Sequence, residues 1–464
     1  MSQHTPVTAP VPVESRLDPV RSVEVITATT PLPTRVNRWP TVALVAAIAV
    51  GVVLRLAAFA SDRPLWIDES MIAMNLTDRS VGQFFEPLDR NQTAPVGFLL
   101  AGKLCITLFG PTEHALRLTA LVGSLLGLIG FAVAAVRLLP PWAARLAVLL
   151  FALSPTVVNY AAEVKQYSTD AAVTAGLLAL AAPLLRSPAR GRLIALGVGG
   201  ALAVWVSHPS VFVLAALGLV LFVQSVVRRE NWRAVVAVGA AWVVSFAGVF
   251  WVNVRFGTAN GYLAEYWGEH FMPMSLSAGP WLVERLVDFF RAAGGYGGEM
   301  IPAGGLAAVV AAVGGVCLWR DGRRVELVVL LGVVGVTLLA SALHKYPFIG
   351  RLLLFLAPVG VILVAYGTAA VAGAVWAKSK VAAVLIAAVM AVAPAAEVIR
   401  QLRHPDRREA VPAAVSFIRE RWQPGDRVYV YNGGTDVGAG PAVPVLTWRR
   451  DAAAPLPPSG RAGS

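Results

Sequence analysis

Two adjacent carboxylates, Asp68 and Glu69, directly follow the first long apolar run, in the stretch PLWIDESMIAMNL (residues 64–76). A carboxylate at the edge of an apolar segment can act as a general base that takes a proton from an acceptor hydroxyl. Such chemistry also needs a donor with a good leaving group, which a lipid-phosphate sugar supplies. Neighbouring residues of a helix point about 100° apart, so we expect only one of the two acids to be the base.

A purely structural explanation of the two acids is also open. Ile72 and Leu76 have helical spacing, so the stretch predicts a short amphipathic helix at the membrane surface. Asp68 would then be the N-cap, and Glu69 in the first turn would complement the helix dipole.

A second polar cluster lies in the stretch NYAAEVKQYSTD (residues 159–170), where Glu163 and Asp170 bracket Lys165 and Tyr167. Polar residues packed densely between two hydrophobic spans indicate a functional site in membrane proteins. Asp170 also fits an ordinary first helical turn. We predict that these four residues bind the donor or the acceptor.

A third cluster, HKYPFIGR, provides His344, Lys345, Tyr346 and Arg351 between two apolar runs. Its cationic donors are sufficient to hold a phosphate. Snorkelling of Lys and Arg beside an interfacial aromatic residue is the alternative. We favour phosphate binding, because the cluster runs against the charge bias of the other turns on its side.

The loop over residues 253–302 is rich in aromatic residues and carries both charge signs. Sugar rings can pack on such aromatic side chains, which makes the loop a candidate donor or acceptor cleft. Its later part, WLVERLVDFFRAA, predicts an interfacial amphipathic helix.

The composition requires a membrane setting for these clusters. Of 464 residues, 57% are hydrophobic and only 14% are charged, with a mean hydropathy of +0.66, outside the range of soluble globular proteins. The net charge of +12 is spread over short clusters between apolar runs, which indicates topology signals rather than nucleic-acid binding. Both cysteines lie in apolar stretches, so neither a disulfide framework nor a cysteine metal site is expected.

We expect an all-α polytopic fold with about eleven transmembrane helices. The predicted spans are 40–60, 114–136, 143–158, 170–185, 193–207, 209–226, 234–252, 303–319, 325–343, 351–377 and 381–399.

Basic residues fall on alternate turns between these spans, which predicts that those turns, and the N-terminus, are cytoplasmic. They are Arg137 and Arg145; Arg186, Arg190 and Arg192; Arg228, Arg229 and Arg233; Arg320, Arg323 and Arg324; and Lys378 and Lys380. The three polar clusters then face the extracytoplasmic side of the plasma membrane. This requires that the apolar run 94–110, with Lys103 in its middle, lies along the outer interface; if it crosses, every later loop changes sides.

The sequence also predicts three regions. Residues 1–38 read as a disordered cytoplasmic tail, 39–400 as the transmembrane domain, and 401–464 as a partly disordered extracytoplasmic segment. Within the last region, residues 407–434 predict a small α/β-like extension of helix, turn and strand.

The order of these motifs resembles the GT-C superfamily of membrane glycosyltransferases, such as the protein O-mannosyltransferases and the lipid A aminoarabinose transferase. WIDES looks like the Asp-Glu motif of the first outward loop, and NQTAPVGFLL is similar to the Pro-initiated helix. FGPTEHALRLTALVGSLLG resembles the next segment with a buried Arg, LSPTVVNYAAEVKQYSTD the second acidic loop, and YPFIGRLLLFLAP a late segment of some bacterial members.

The resemblance implies a polyprenyl-phosphate-linked sugar donor at the outer face, with Asp68 as base. It places Glu163 or Asp170 in the second acidic loop. Because the three clusters share one membrane face, we expect Glu69 to support Asp68. This chain departs from many relatives in having Asn91, Gln92 and a single Pro95 before the Pro-initiated helix, where others carry a charged residue. Some members depend on a divalent metal; here no cofactor is firmly implied, and the identity of any metal ligands stays open.

The sequence therefore predicts a glycosyltransferase that acts on an envelope glycan, lipid or protein acceptor. A transporter or flippase for lipid-linked glycans is the first alternative, although its ionisable residues should line a mid-membrane pathway, often with internal repeats. A GT-C relative that lost catalysis and acts as a scaffold is the second.

Overall fold

The computed structural model describes residues 39–61, 63–187, 189–292, 295–296, 303–405, 416–418 and 420–421. In these ranges the chain forms helices that we number in order: α1 Trp39–Ala60, α2 Ile67–Asp78, α3 Val96–Phe109, α4 Glu113–Leu138, α5 Pro141–Ala152, α6 Pro155–Asn159, α7 Tyr167–Arg186, α8 Arg190–Val206, α9 Ser210–Arg228, α10 Trp232–Val249, α11 Arg255–Thr258, α12 Gly261–Tyr266, α13 Ala278–Arg291, α14 Gly304–Arg320, α15 Arg324–Ala342, α16 Ala357–Trp376 and α17 Lys380–Arg403.

No β-strand occurs in the described ranges, and the predicted all-α fold of the transmembrane region is confirmed. The predicted tail over 1–38 lies outside the described residues. So does most of the helix, turn and strand expected over 407–434, of which only 416–418 and 420–421 are described, as helix. The bounds of the three predicted regions stay predictions.

Within the described part of the chain, eight helices are long and apolar enough to cross a bilayer: Thr41–Ala60, Glu113–Leu138, Tyr167–Arg186, Ser210–Arg228, Trp232–Thr258, Arg324–Ala342, Gly350–Trp376 and Lys380–Arg403. The pair Pro141–Ala152 and Pro155–Ala162, bent by 51°, can form a ninth. The two remaining predicted spans, 193–207 and 303–319, are α8 and α14, each 17 residues long. Such a helix is about 26 Å long, slightly less than the ~30 Å apolar core of a bilayer. The chain is a multi-pass membrane protein.

Helix α3 begins and ends at the same end of the bundle. Shortly before it begins, Gln92 accepts a hydrogen bond from Lys165 at 2.8 Å. Shortly after it ends, Arg117 contacts Glu69 at 3.4 Å. Between them, Lys103 Nζ donates to carbonyl oxygens in the last turns of α2 at 2.8 and 3.3 Å. The run therefore does not cross the bundle, as the predicted topology requires.

Basic residues gather at the opposite end of the bundle. Arg186 and Arg323 lie 3.7 and 3.6 Å from the carboxylate of Glu326, and Arg228 donates to the carbonyl of Leu185. Helix α7 runs from the cluster around Lys165 to Arg186, so the two ends are about 30 Å apart. The basic end is the one that the positive-inside rule assigns to the cytoplasm.

Close backbone contacts hold α7 against α4. A Cβ at Gly123 would lie 2.7 Å from Thr169 Oγ1, and one at Gly127 would lie 3.1 Å from Ala172 Cα. Small residues at such positions let two membrane helices approach closely, which van der Waals packing rewards. This contact fixes the start of α7, and with it the loop 159–166, against the bundle.

A buried arginine supports the bend between α5 and α6. The fully buried Arg55 of α1 donates to the carbonyls of Phe151 and Ala152 at 3.4 Å and to Ser124 Oγ at 2.9 Å. The two carbonyls lie in the last turn of α5, where a helix leaves such groups without partners. The bend directs the chain into the loop 159–166.

Candidate active site

Helix α2, which carries both adjacent acids, begins at Ile67 with Trp66 at the N-cap position. The prediction that Asp68 is the N-cap is therefore wrong. The capping contact comes from Glu69, whose Oε2 accepts from the backbone N–H of Trp66 at 3.4 Å. The carboxylate of Asp68 is thus available for contacts outside its own helix.

Asp68 lies between two cations that come from distant parts of the chain. Its Oδ1 accepts a hydrogen bond from Lys165 Nζ at 2.9 Å, and its Oδ2 forms an ion pair with Arg351 Nη2 at 2.9 Å. Gln92 Oε1 also accepts from Lys165 Nζ, at 2.8 Å. The side chains of Asp68 and Arg351 retain 16% and 24% exposure, whereas Lys165 retains 4%. Part of the Asp68 side chain and part of the guanidinium are therefore open to a ligand, although Asp68 Oδ2, which faces Arg351, is itself buried.

The charges of this cluster keep Asp68 ionised. Burial alone would raise the pKa of Asp68, but the cations of Lys165 and Arg351 outweigh that effect and hold the pKa below its ordinary value. Burial lowers the pKa of Lys165, and Asp68 opposes the change. Asp68, Lys165 and Arg351 together have a net charge of +1, which favours binding of an anion such as a phosphate. The carboxylate of Glu163 also acts on both cations and weakens this preference.

Glu69 belongs to a separate buried network. The side chain is 1% exposed, and its Oε1 accepts from the backbone N–H of Val164 at 2.8 Å and from Arg117 Nε at 3.4 Å. Arg117 in turn donates to the carbonyl of Arg63 at 3.0 Å. Glu69 therefore joins α2, α4 and the loop 159–166, which places Asp68 opposite its two cations.

The two acids of the second cluster have hydrogen-bond partners of their own. Glu163 accepts from Asn159 Nδ2 at 2.7 Å, and Arg63 lies 4.0 Å away. Asp170 is buried beside Ser207, and its Oδ1 has no hydrogen-bond partner among the described residues. Glu163 thus braces the loop, whereas Asp170 lies inside the bundle; a binding role for either stays a prediction.

Aromatic rings orient the guanidinium of Arg351. It lies 5.2 Å from the ring centre of Trp66 and 5.9 Å from that of Tyr167, distances at which cation–π attraction operates. Tyr167 packs edge-on against Tyr160 at 5.2 Å. Sequence reasoning missed Trp66 as a site residue, although it lies two positions before Asp68 in the same motif.

Of the third cluster, the structure brings only Arg351 to Asp68. His344 is exposed and faces the ring of Phe271 at 5.0 Å. Lys345 is exposed, and its side chain has no hydrogen bond or ion pair with the described residues. Tyr346 donates its hydroxyl to the carbonyl of Leu352 at 2.7 Å. A ligand-binding role for these three residues stays a prediction.

Gln92 is the second site residue that sequence reasoning missed. It occupies the stretch where this chain departs from the pattern of the family it resembles, and its amide oxygen accepts a hydrogen bond from the Lys165 ammonium. This departure from the family pattern was the one feature of the sequence that could have drawn attention to Gln92. A neutral amide there positions the cation without adding a charge.

The donor set around Asp68 does not suit a divalent metal. Each oxygen of the carboxylate faces a cationic nitrogen at 2.9 Å, which would repel a metal ion. Among the described residues, no group of three His, Cys, Asp or Glu side chains is arranged to hold one. Hard divalent cations take oxygen ligands, and both carboxylate oxygens of Asp68 already face cations.

Comparison with known proteins supplies structural neighbours. No family model and no curated protein sequence matches this chain. ArnT from Cupriavidus metallidurans bound to undecaprenyl phosphate has a TM-score of 0.53 at 17% identity, over 83% of this chain and 82% of that chain. The archaeal oligosaccharyltransferase AglB from Archaeoglobus fulgidus, in complex with an inhibitory peptide and a dolichol-phosphate, has a TM-score of 0.50 at 13% identity.

The alignment covers a smaller share of the archaeal enzyme than of ArnT. The alignment with AglB covers 83% of this chain and 58% of that chain. For the Archaeoglobus fulgidus oligosaccharyltransferase in complex with Zn and sulfate, the TM-score is 0.50 at 13% identity, over 82% and 55%. The chain therefore spans about half the length of that protein. At these identities the likeness establishes a shared fold.

Proposed function

We propose that this chain, which has the GT-C fold that its motifs predicted, moves a sugar from a polyprenyl-phosphate-linked donor to an acceptor hydroxyl. The observation that carries the proposal is the partly exposed side chain of Asp68 between Lys165 and Arg351. The undecaprenyl phosphate and dolichol-phosphate bound to the structural neighbours support a lipid-linked donor.

In the proposed reaction, Asp68 accepts the proton of the acceptor hydroxyl while the hydroxyl oxygen attacks the anomeric carbon of the donor sugar. The bond between that carbon and the phosphate oxygen breaks, and its electron pair leaves with the lipid phosphate. Lys165 and Arg351 stabilise the negative charge that develops on the phosphate. No step is routed through a metal.

The same two cations cannot serve Asp68 and a donor phosphate equally well at the same time. In the resting site they lower the pKa of Asp68 and make it a weak base. A phosphate that draws Lys165 and Arg351 toward itself removes that effect and strengthens the base. Donor binding would thereby activate the carboxylate that the acceptor needs.

The reaction is proposed for the extracytoplasmic face of the plasma membrane, with the N-terminus in the cytoplasm and an envelope glycan, lipid or protein as acceptor. The gathering of Arg186, Arg228 and Arg323 at the end opposite Asp68 supports this orientation. Labelling of single cysteines at Ser70 and Ser187, one near each end of the bundle, tests it. Outward labelling at position 187 instead of 70 would contradict it.

The central test is sugar transfer from radiolabelled polyprenyl-phosphate sugars in membranes that contain the chain. Asp68→Asn removes the base and is expected to lower the rate at least about 100-fold. Asp78→Asn, at the far end of the same helix, is the matched control and should keep the wild-type rate. Unchanged transfer by Asp68→Asn refutes the assignment. Movement of a lipid-linked glycan across the membrane without sugar transfer would instead identify a transporter. Absence of both transfer and movement would favour a scaffold.

A further inference from the structure

The segment 257–272 is anchored on both sides of the Asp68 site. At one end, Asn260 Nδ2 donates to Asn91 Oδ1 at 2.9 Å. At the other, the carbonyl of His270 accepts from the backbone N–H of Phe348 at 2.9 Å. Asn91 adjoins the glutamine that bonds the site lysine, and Phe348 lies three positions before the site arginine. The segment therefore connects the neighbourhoods of the two cations.

Further contacts hold both ends of this segment. A Cβ at Gly257 would lie 2.7 Å from Thr93 Cγ2, so the backbone is pressed against the stretch before α3. At the other end, the backbone N–H of Met272 donates to Ser341 Oγ at 2.9 Å. What lies between the anchors is held in a defined place beside the site.

Between the anchors lies a row of aromatic rings, which we call the aromatic ridge: Tyr262, Tyr266, Trp267 and His270. The first two are one helical turn apart on α12, with ring centres 6.1 Å apart and planes inclined by 20°. The next ring centres follow at 4.8 and 5.7 Å. Tyr262 is 48% exposed and Tyr266 is 58% exposed. The ridge thus presents two nearly parallel aromatic faces to its surroundings.

The charges beside the ridge are acidic. Residues 259–277 include Glu265 and Glu269, both exposed, and contain no Lys or Arg. Segments that rest on anionic lipid headgroups carry basic residues, which this stretch lacks. Parallel aromatic faces with carboxylates beside them suit a neutral pyranose, whose C–H faces pack on rings and whose hydroxyls donate to carboxylates.

We propose that the aromatic ridge binds the carbohydrate part of the acceptor, so that the acceptor is a glycan chain. This inference rests on the proposed function, since the ridge would present the acceptor hydroxyl to Asp68. Tyr262 and Tyr266 supply the stacking faces, and the two anchors place them beside the site.

The full chain in zwitterionic phospholipid nanodiscs provides the test, because sugar-based detergents would compete. Saturation-transfer NMR is recorded with the trisaccharides maltotriose, cellotriose and mannotriose. Tyr262→Leu/Tyr266→Leu removes the rings but keeps apolar bulk, and the pair Tyr262→Phe/Tyr266→Phe keeps the rings. Trp376→Leu changes an exposed aromatic residue at the other end of the bundle and is the matched control.

We expect at least one trisaccharide to bind, the Leu pair to weaken binding at least tenfold, and the Phe pair and Trp376→Leu to stay within about twofold of wild type. Absence of binding by all three sugars, or equal binding by the Leu pair, overturns the inference and assigns the ridge to the membrane interface. Binding of undecaprenyl phosphate in the same nanodiscs separates the two proposals. If it binds and the sugars do not, only the ridge assignment fails; if it does not bind, the proposed function fails.

Discussion

Substitution of Glu69 by Gln separates the roles of the two adjacent acids. The Gln side chain keeps an oxygen that can accept from the N–H of Val164, which is 2.8 Å from Glu69 Oε1. What is lost is the negative charge that faces Arg117 Nε at 3.4 Å, with both side chains at most 2% exposed, and the weak acceptor at Oε2 for the N–H of Trp66 at 3.4 Å. The substitution therefore tests a buried charge with little change of shape.

The expected cost follows from that geometry. Two unit charges 3.4 Å apart attract by about 5 kcal/mol at an effective dielectric constant of about 20. Removing one partner of a buried pair typically costs about 3–5 kcal/mol. Glu113 Oε2, 3.9 Å from Arg117 Nη1 on a side chain that is 28% exposed, still compensates part of the remaining charge. We therefore expect Glu69→Gln to lower the free energy of unfolding by about 3 kcal/mol, the lower end of that range. Asp68→Asn should cost less, because Asp68 is partly exposed.

The assay is unfolding of the purified chain followed by tryptophan fluorescence, together with the transfer rate measured under conditions where each variant is folded. Glu69→Gln should lose stability, whereas Asp68→Asn should lose turnover. Glu69→Gln/Arg117→Met should recover most of the stability, because no fully buried charge is left unpaired and Glu113, which loses Arg117, has a partly exposed side chain. If Glu69→Gln were as stable as wild type and yet inactive, Glu69 would have a chemical role and the positioning argument would be refuted.

Three further predictions concern charge. The pKa of Asp68 in the free enzyme is below its ordinary value, because Lys165 and Arg351 outweigh the effect of burial; the acid limb of kcat/KM should therefore lie below about 3.9, and that of kcat, which reports the donor complex, should lie higher. Equal apparent pKa values in the two pH profiles would contradict the proposal that the donor phosphate draws Lys165 and Arg351 away from Asp68. Arg351→Met should weaken binding of undecaprenyl phosphate at least tenfold in a thermal-shift titration, and unchanged affinity would exclude Arg351 as a ligand. Burial lowers the pKa of His208 to about 4 even though Asn253 bonds its ring, so the unfolded chain takes up a proton first as the pH falls. The contribution of neutral His208 to the free energy of unfolding should be fully present above about pH 6.5 and should decrease by up to about 3 kcal/mol toward pH 4. In unfolding midpoints measured between pH 7.5 and 5, His208→Gln should show a weaker pH dependence than wild type. An equally steep pH dependence in the variant would refute the prediction.

The sequence predicted the spans and the motif positions well, because apolar length and charge bias are local properties. All eleven predicted spans are helical, and the first-loop Asp, the loop lysine and the late arginine meet. Which member of a cluster reaches Asp68 could not be predicted. Arg351 does so because a 3-10 turn over Gly350–Leu356 precedes α16, whereas Lys345 lies exposed.

Long-range partners of neutral residues were also beyond the sequence. Gln92 gives no charge or periodicity signal, and its role depends on a contact with Lys165 across 73 positions. Arg55 looked like an interruption of an apolar run, yet it supports the break between α5 and α6 through the carbonyls of Phe151 and Ala152. Both cases need the packed bundle, since sequence spacing does not encode them.

Whether helix α3 crosses the membrane decides if the number of crossings between Gln92 and Lys165 is odd or even. A count of apolar runs would score it as one crossing and would reverse the side of every loop after residue 110. The contact between Gln92 and Lys165 excludes that odd count, because two side chains 2.8 Å apart cannot lie on opposite faces of a bilayer. For chains of this architecture, one pair of residues from loops before and after such a helix is enough to fix the sidedness of everything that follows.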